Sequence, residues 1–223
     1  MELFIVSTPI GNLEDISFRA IETLNQSDFI ICEDTRVSSI LLKKFEISKE
    51  LISLNAFNEK HKILSLIEKI KSVNKVSLIS DAGTPAISDP GSIFISECIK
   101  SGIKIIPIPG ASALLASLVI TGLPITSFIF EGFLPQKKGR DKKLKELSSE
   151  KRMIIVNESV YRVEKLILDL KKFMPKRYVI VCKELTKKFE EIWRGYPEEL
   201  LKIIPKNKLK GEFVFIISEL TKK

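Results

Sequence analysis

Short apolar runs alternate with longer stretches of helical periodicity along this chain, and that alternation leaves few folds open. Leu3 to Ser7, Phe29 to Cys32, Leu51 to Leu54, Val76 to Ile79 and Ile103 to Ile108 read as strands. Between them, Ile16, Ala20, Ile21 and Leu24 fall on one helical face, and Val37 to Phe45 continues in helical period. Ile63, Leu64, Ile67, Ile70 and Val73 mark a third helix. Ile93, Phe94, Cys98 and Ile99 mark a fourth, which Gly102 should stop. Strands joined through helices run parallel, because a crossover returns the chain to the same end of the sheet. The expected class is therefore α/β, with mostly parallel or mixed sheets covered by helices. Ligands in such sheets sit outside the carboxyl ends of the strands.

The loops at those ends are unusual. The stretch LISDAGTPAISDPG runs from Leu78 to Gly91, and its last twelve residues hold two Ser-Asp pairs, two glycines and two prolines. A plain connection needs only a few turn residues. Thr8 to Asn12 and Pro107 to Ser112 are similarly dense in Gly and Pro, and all three segments follow strands. Gly83, Gly91 and Gly110 let backbone approach a ligand, while Pro85, Pro90 and Pro109 stiffen the loops. There is no G-x-x-x-x-G-K-[ST], and no G-x-G-x-x-G follows the first strand, which disfavours nucleoside triphosphate chemistry. Asp81 and Asp89 can accept from an ammonium or from ribose hydroxyls; capping turns and the following helix is the other reading.

After Gly122-Leu123-Pro124 the pattern restarts, which sets an expected boundary within 121–125 and domains of 1–122 and 123–223. Phe128 to Phe133, Met153 to Val156, Tyr178 to Cys182 and Phe213 to Ile217 read as strands, and Tyr161 to Phe173 as a helix. Trp193 to Tyr196 suits a short strand or a turn, and Glu198 to Ile203 a short helix. Lys and Arg outnumber Asp and Glu by 36 to 28, a net charge of +8. That surplus fits a polyanionic partner or a Lys-rich composition with no partner meaning. Lys137, Lys138, Arg140, Lys142 and Lys143 likewise form either a phosphate track or a solvated helix face. Cys32, Cys98 and Cys182 lie in apolar runs without metal or disulfide spacing, and the single histidine, His61, has no partners for a metal site or triad. The opening MELFIVSTPIGN has no basic leader, and no apolar run is long enough for a bilayer, so a cytoplasmic protein is expected.

TPIGNL at 8–13, CEDTR at 32–36, SDAGTPAISDPG at 80–91 and PIPGASA at 107–113 together resemble the tetrapyrrole methylase superfamily, the class III S-adenosylmethionine-dependent methyltransferases. FEGFLP at 130–135, KELTKKFEE at 183–191 and KGEF at 210–213 extend the resemblance over nearly the whole chain. It implies two α/β domains and S-adenosylmethionine as cofactor. It places cofactor contacts on Pro9, Asp81, Gly83, Thr84, Ile87, Ala111 and Ser112, with Glu131, Cys182 and Glu212 from the second domain. Within the superfamily, the likeness is to enzymes that methylate the ribose 2′-hydroxyl of a cytidine in the decoding centre of 16S rRNA, acting as homodimers on the small ribosomal subunit. The usual Glu-Ser-Pro-His-Arg of that group reads Glu158-Ser159-Val160-Tyr161-Arg162 here, so this segment supplies no imidazole.

Methyl transfer from a sulfonium is an in-line displacement that proximity and orientation promote without a metal. A ribose hydroxyl is a weak nucleophile, so a base or charge-stabilising group belongs near it. Glu33, Asp34 and Arg36, leaving a strand end, are the catalytic candidates; a helix cap with a surface ion pair is the alternative. Arg19, Lys137, Lys138, Arg140 and Arg162 are the candidate RNA contacts. Two other classes stay open: a methyltransferase of the same fold acting on a tetrapyrrole or other small molecule, and a non-catalytic RNA-binding module.

Overall fold

The computed structural model describes residues 1–205 and 209–219. It divides into two compact units between Ser112 and Ala113.

The first unit contains β1 (Glu2–Val6), α1 (Phe18–Gln26), β2 (Phe29–Cys32), α2 (Thr35–Lys44), β3 (Glu50–Ser53), α3 (Glu59–Lys71), β4 (Lys75–Leu78), α4 (Ser92–Lys100) and β5 (Lys104–Ile108). Its sheet has the order β3-β2-β4-β1-β5, and every pairing is parallel. Side chains alternate along each strand, so the two faces can be read off β2. Ile30 and Cys32 pack with Ala20 and Leu24 of α1 and Leu42 of α2. Phe29 and Ile31 pack with Ile63, Ile67 and Ile70 of α3 and Phe94 and Cys98 of α4. Helices on both faces explain why β2 is apolar at every position. From β1 the chain crosses to β2, and from β4 it crosses to β5, in opposite directions along the sheet. The carboxyl ends of β1 and β4 are therefore the topological switch point, where a crevice opens in such sheets.

Helices α1 and α2 start on local side-chain caps. The Ser17 hydroxyl accepts from the Ala20 N–H at 3.1 Å, and Asp34 accepts from the Arg36 N–H at 2.8 Å. Helix α4 instead begins at Gly91, with φ +117° and no side-chain cap of its own. Its amides are taken from α3: Glu59 accepts from the Gly91 N–H at 3.2 Å and the Phe94 N–H at 3.0 Å, with the residue only 6% exposed. Removing that carboxylate strands two buried donors. Glu59→Ala is expected to cost about 2–3 kcal/mol in urea unfolding, and Glu59→Gln less, because an amide oxygen still accepts.

The second unit contains α5 (Ala113–Val119), β6 (Phe128–Phe133), α6 (Arg140–Ser148), β7 (Met153–Ser159), α7 (Val163–Phe173), β8 (Val179–Lys183), β9 (Glu191–Gly195), α8 (Pro197–Ile203) and β10 (Glu212–Ile217). Its sheet is mixed, in the order β6-β7-β10-β8-β9; β6 and β7 are parallel and the other pairs antiparallel. Leu144 and Leu147 of α6, Leu166, Ile167 and Leu170 of α7 and Leu200 of α8 cover Ile154, Val156, Val181, Phe213 and Phe215. Trp193 lies in an edge strand, β9.

Two features differ from the sequence reading. The division falls at 112/113 rather than within 121–125, because α5 packs against β10 and joins the second unit. Strand β7 continues beyond Val156 to Ser159, since Asn157, Glu158 and Ser159 pair with Val214, Phe213 and Glu212 of β10. Polar residues there end the apolar pattern but not the ladder. Among the described residues, no helix is long and apolar enough to cross a membrane.

Candidate functional site

At the switch point, the loops after β1 and β4 are fastened together. Thr8 and Gly83 form an antiparallel bridge: the Thr8 N–H donates to the Gly83 carbonyl at 2.8 Å, and the Gly83 N–H to the Thr8 carbonyl at 3.1 Å. The Thr8 hydroxyl donates to the Ser80 carbonyl at 3.1 Å, and the Ser7 and Thr84 hydroxyls lie 2.9 Å apart. Gly83 has φ +80°, and a Cβ there would stand 3.3 Å from Ile10 Cγ2. The loop after β5 closes in from the other side: a Cβ on Gly110 would stand 3.0 Å from Ser7 Cβ. All three Gly/Pro-rich segments thus meet at one place. Between Gly83 and Gly91, Ala86 and Ser88 also adopt positive φ, of 66° and 65°. Such conformations in non-glycine residues cost about 1–3 kcal/mol and persist only where the surroundings impose them.

Strand β2 lies beside β4, which brings CEDTR to the same edge. The Asp34 N–H donates to Asp81 Oδ1 at 3.1 Å. Asp34 also receives the Arg36 guanidinium, with Nη2 at 2.6 Å, and these hydrogen bonds hold its carboxyl down at about 2. Glu33 and Asp81 are shifted the other way. Burial raises the Glu33 carboxyl, and the nearby Asp81, Asp89 and Asp34 charges raise it further against a backbone hydrogen bond from Asp81. Burial and the Asp34 charge raise Asp81. Asp34 and Arg36 therefore form a helix cap with an exposed ion pair, while Glu33 and Asp81 are the carboxylates whose proton affinity is enhanced.

Around this edge, Pro9 is buried, Thr84, Ala111 and Ser112 are half-buried, and Ile87 is exposed. Arg19 is exposed, with its guanidinium 3.5 Å from the Pro107 carbonyl. His61 lies exposed in the first turn of α3. Among the described residues, no group of three or more His, Cys, Asp or Glu side chains is arranged to hold a metal ion.

In the second unit, the expected residues are engaged differently. Glu131 is paired with Lys143 at 2.8 Å. Glu212 pairs with Lys187 at 3.1 Å, and Lys187 also holds Glu184 at 2.9 Å. The Glu212 N–H donates to Glu184 Oε1, the Glu184 N–H donates to the Glu212 carbonyl, and a Cβ on Gly211 would collide with the Glu184 side chain. KELTKK and KGEF thus form one turn assembly that needs Gly211, at φ +96°. Cys182 is fully buried, its strand neighbours are Val214 and Ile192, and burial pushes its thiol up to about 12. Cys98 is likewise pushed up to about 12, and Cys32 is also raised by burial. Only thiolates react readily, so the native protein is expected to show no cysteine reacting with an aromatic disulfide reagent at pH 8. All three should appear on unfolding.

Arg140, expected to contact RNA, is buried and held by carboxylates instead. Its residue exposure is 2%; Nε donates to Asp169 at 2.7 Å and Nη1 to Glu158 at 3.3 Å. Arg162 is also committed to Glu158, with Nε at 2.7 Å. Lys137, Lys138 and Lys142 are exposed. The sequence held signals for these burials. Arg140 is in helical register with the buried Leu144 and Leu147, Glu158 alternates with the buried Ile154 and Val156, and Glu59 leads the buried face of α3.

A family model described as Tetrapyrrole (Corrin/Porphyrin) Methylases matches residues 2–201. A protein of Thermotoga maritima named ribosomal RNA small subunit methyltransferase I is 42% identical over 217 residues, covering 97% of this chain and 98% of its own. The protein of the same name from Escherichia coli O157:H7 is 41% identical over 220 residues, covering 97% of this chain and 77% of its own. Among solved structures, a diphthine synthase superposes with TM-score 0.76 at 19% identity, covering 98% of this chain and 90% of its own. A uroporphyrin-III C-methyl transferase from Thermus thermophilus, complexed with S-adenyl homocysteine, gives 0.67 at 17% identity, covering 98% of each chain. These structures share the fold. Taken with the matched motifs, the chain belongs to the tetrapyrrole methylase family, in the group of ribosomal RNA small subunit methyltransferase I.

Proposed function

We propose that this protein is an S-adenosylmethionine-dependent methyltransferase of small-subunit ribosomal RNA, and that its acceptor is the ribose 2′-hydroxyl of a cytidine in the 16S decoding centre. The observation that carries the reading is the 42% identity to the Thermotoga protein over nearly the full length of both chains. The switch-point chemistry fits the cofactor. Carboxylates, hydroxyls and backbone carbonyls predominate there, and they suit a ligand bearing a sulfonium, an ammonium and ribose hydroxyls. Pro9, Asp81, Gly83, Thr84, Ile87, Ala111 and Ser112 would hold it. From the second unit, Glu131, Cys182 and Glu212 remain proposed contacts; Glu131 and Glu212 are ion-paired and the Cys182 thiol is buried.

When bound, S-adenosylmethionine would supply an electrophilic methyl group: as the O–CH3 bond forms, the S–CH3 bond would break to leave S-adenosylhomocysteine, and the acceptor hydroxyl would give up one proton. Glu33, directly after β2 at the edge it shares with Asp81, takes that proton, and burial and neighbouring carboxylates raise its affinity for one. Asp34 and Arg36 fix the start of α2 beside it. Lys137 and Lys138, exposed in the second unit, contribute to binding the polyanion. The protein is taken to act in the cytoplasm as a homodimer, on the assembled small subunit.

The test is incubation of unmodified 30S particles with methyl-labelled cofactor, followed by nucleoside analysis. Label in a 2′-O-methylcytidine supports the reading. Label found only in an added tetrapyrrole or other small molecule replaces it with a different methyltransferase. Binding of 30S without transfer replaces it with a non-catalytic module.

A further inference from the structure

We propose that the carboxyl end of the β6–β7 pair is a grip for single-stranded RNA, with Tyr161 as a stacking platform and Arg140 and Glu158 as the positioning residues that hold it in shape. The choice of RNA as occupant rests on the proposed function.

Because β6 and β7 run parallel, the segments that follow them leave the sheet side by side. The first is Leu134 to Gly139, with Lys137 and Lys138 exposed. The second is the tight turn Val160–Arg162, with Tyr161 at its centre and 93% exposed. One buried carboxylate ties the two together. Glu158, whose side chain is fully buried, accepts from Arg140 Nη1 and Nη2 through Oε2, both at 3.3 Å. Through Oε1 it accepts from the Ser159 N–H at 2.9 Å and from Arg162 Nε at 2.7 Å. Arg140 in turn donates Nη1 to the Pro135 carbonyl at 3.2 Å, and its N–H to the Lys137 carbonyl at 3.2 Å. Lys165 Nζ, from the first turn of α7, reaches the Gln136 carbonyl at 3.4 Å.

Such a hub is a costly way to gain stability, since desolvating the ions offsets most of their attraction. What it supplies is a fixed arrangement of two solvent-facing segments. That arrangement puts exposed Tyr161 on one tethered segment and exposed Lys137 and Lys138 on the other, with Lys165 reaching across to the Gln136 carbonyl and Glu164 exposed between Tyr161 and Lys165 in sequence. Single-stranded RNA offers base faces and phosphates together, and aromatic stacking with lysine contacts is how proteins grip it. A duplex hides its base faces. The expected preference is therefore for the single strand.

The test is fluorescence anisotropy with a labelled mixed-sequence oligoribonucleotide, single-stranded and as a duplex. Tyr161→Ala should weaken single-strand binding about tenfold, Tyr161→Phe should not, and neither should alter duplex binding. Removing Lys137 and Lys138 together should reduce the salt slope by roughly 1.4, the value for two phosphates on a single strand. Arg140→Lys keeps the charge but loses the planar fork. It should weaken single-strand binding, and in that background loss of the two lysines should matter less. If Arg140→Lys fails to fold, Tyr161→Ala at an exposed position decides alone. The proposal is overturned if Tyr161→Ala binds the single strand as wild type does, or if Tyr161→Phe is as weak as Tyr161→Ala. It is equally overturned if wild type binds neither form. Failure of the proposed function registers separately, as absent methyl transfer to 30S particles.

Discussion

Glu158→Ala is expected to destabilise the second unit by about 3–5 kcal/mol, followed by the fluorescence of Trp193, the only tryptophan. The expectation comes from what is left behind. Arg140 is only 2% exposed, and the substitution removes the carboxylate that receives two of its nitrogens. Asp169 still holds Nε at 2.7 Å, which places the expected cost toward the lower end. The Ser159 N–H and Arg162 Nε lose their acceptor as well. Replacing both ions, as in Glu158→Leu with Arg140→Met, removes the buried pair but leaves the partly buried Asp169 and Arg162 without their partners, so it should recover only part of the loss. A loss below about 1 kcal/mol for Glu158→Ala would mean that water or a rearranged Asp169 satisfies Arg140, contrary to the burial described.

Glu33→Gln is expected to lower kcat for 30S methylation by about 10²–10⁴-fold while leaving S-adenosylmethionine affinity close to that of wild type. The glutamine keeps the shape and loses the ability to take a proton. In wild type, activity should fall as pH drops through the Glu33 pKa, which burial and the Asp81, Asp89 and Asp34 charges set above the ordinary carboxylate value. That acid limb should vanish from the residual activity of the variant. The sign for stability is opposite to that of a salt-bridged acid. With its folded pKa raised, ionised Glu33 works against folding once the pH exceeds the unfolded value, so the substitution should not destabilise the protein at neutral pH. Asp34 behaves conversely: its pKa is depressed to about 2 by Arg36, so its contribution is present at neutral pH and fades as pH falls from the ordinary carboxylate range through that value.

The parts legible in the sequence are those carried by local signals. Strand–helix alternation and the Gly/Pro density of three loops sufficed to place the parallel sheet and its carboxyl edge, because periodicity and backbone freedom act over a few residues. The Thr8–Gly83 bridge joins segments far apart in the chain, yet it could be expected in outline once both loops were assigned to the same edge. Other features depended on partners that no local pattern specifies. Glu59 caps a helix two elements away; its place at the head of the buried face of α3 signals burial, but nothing local names the amides it accepts from. Arg140 sits in a Lys-rich run where charge alone cannot separate a phosphate contact from a buried hub; its register with Leu144 and Leu147 can. The end of β7 is not legible in the sequence because the apolar run stops at Val156, whereas the ladder with β10 runs on through Ser159. The unit division moved to Ser112/Ala113 because α5 packs on β10, a tertiary choice absent from its composition.

The central claim is that the fastened loops of β1, β4 and β5 form the S-adenosylmethionine site. Titration calorimetry with S-adenosylhomocysteine tests it most directly, comparing wild type with Gly83→Leu. Gly83 stands at φ +80° against Ile10, so a leucine side chain must displace the loop. The account predicts binding to wild type and none to a Gly83→Leu protein whose circular dichroism is unchanged. Equal binding by the two proteins, or no binding by wild type, would contradict it.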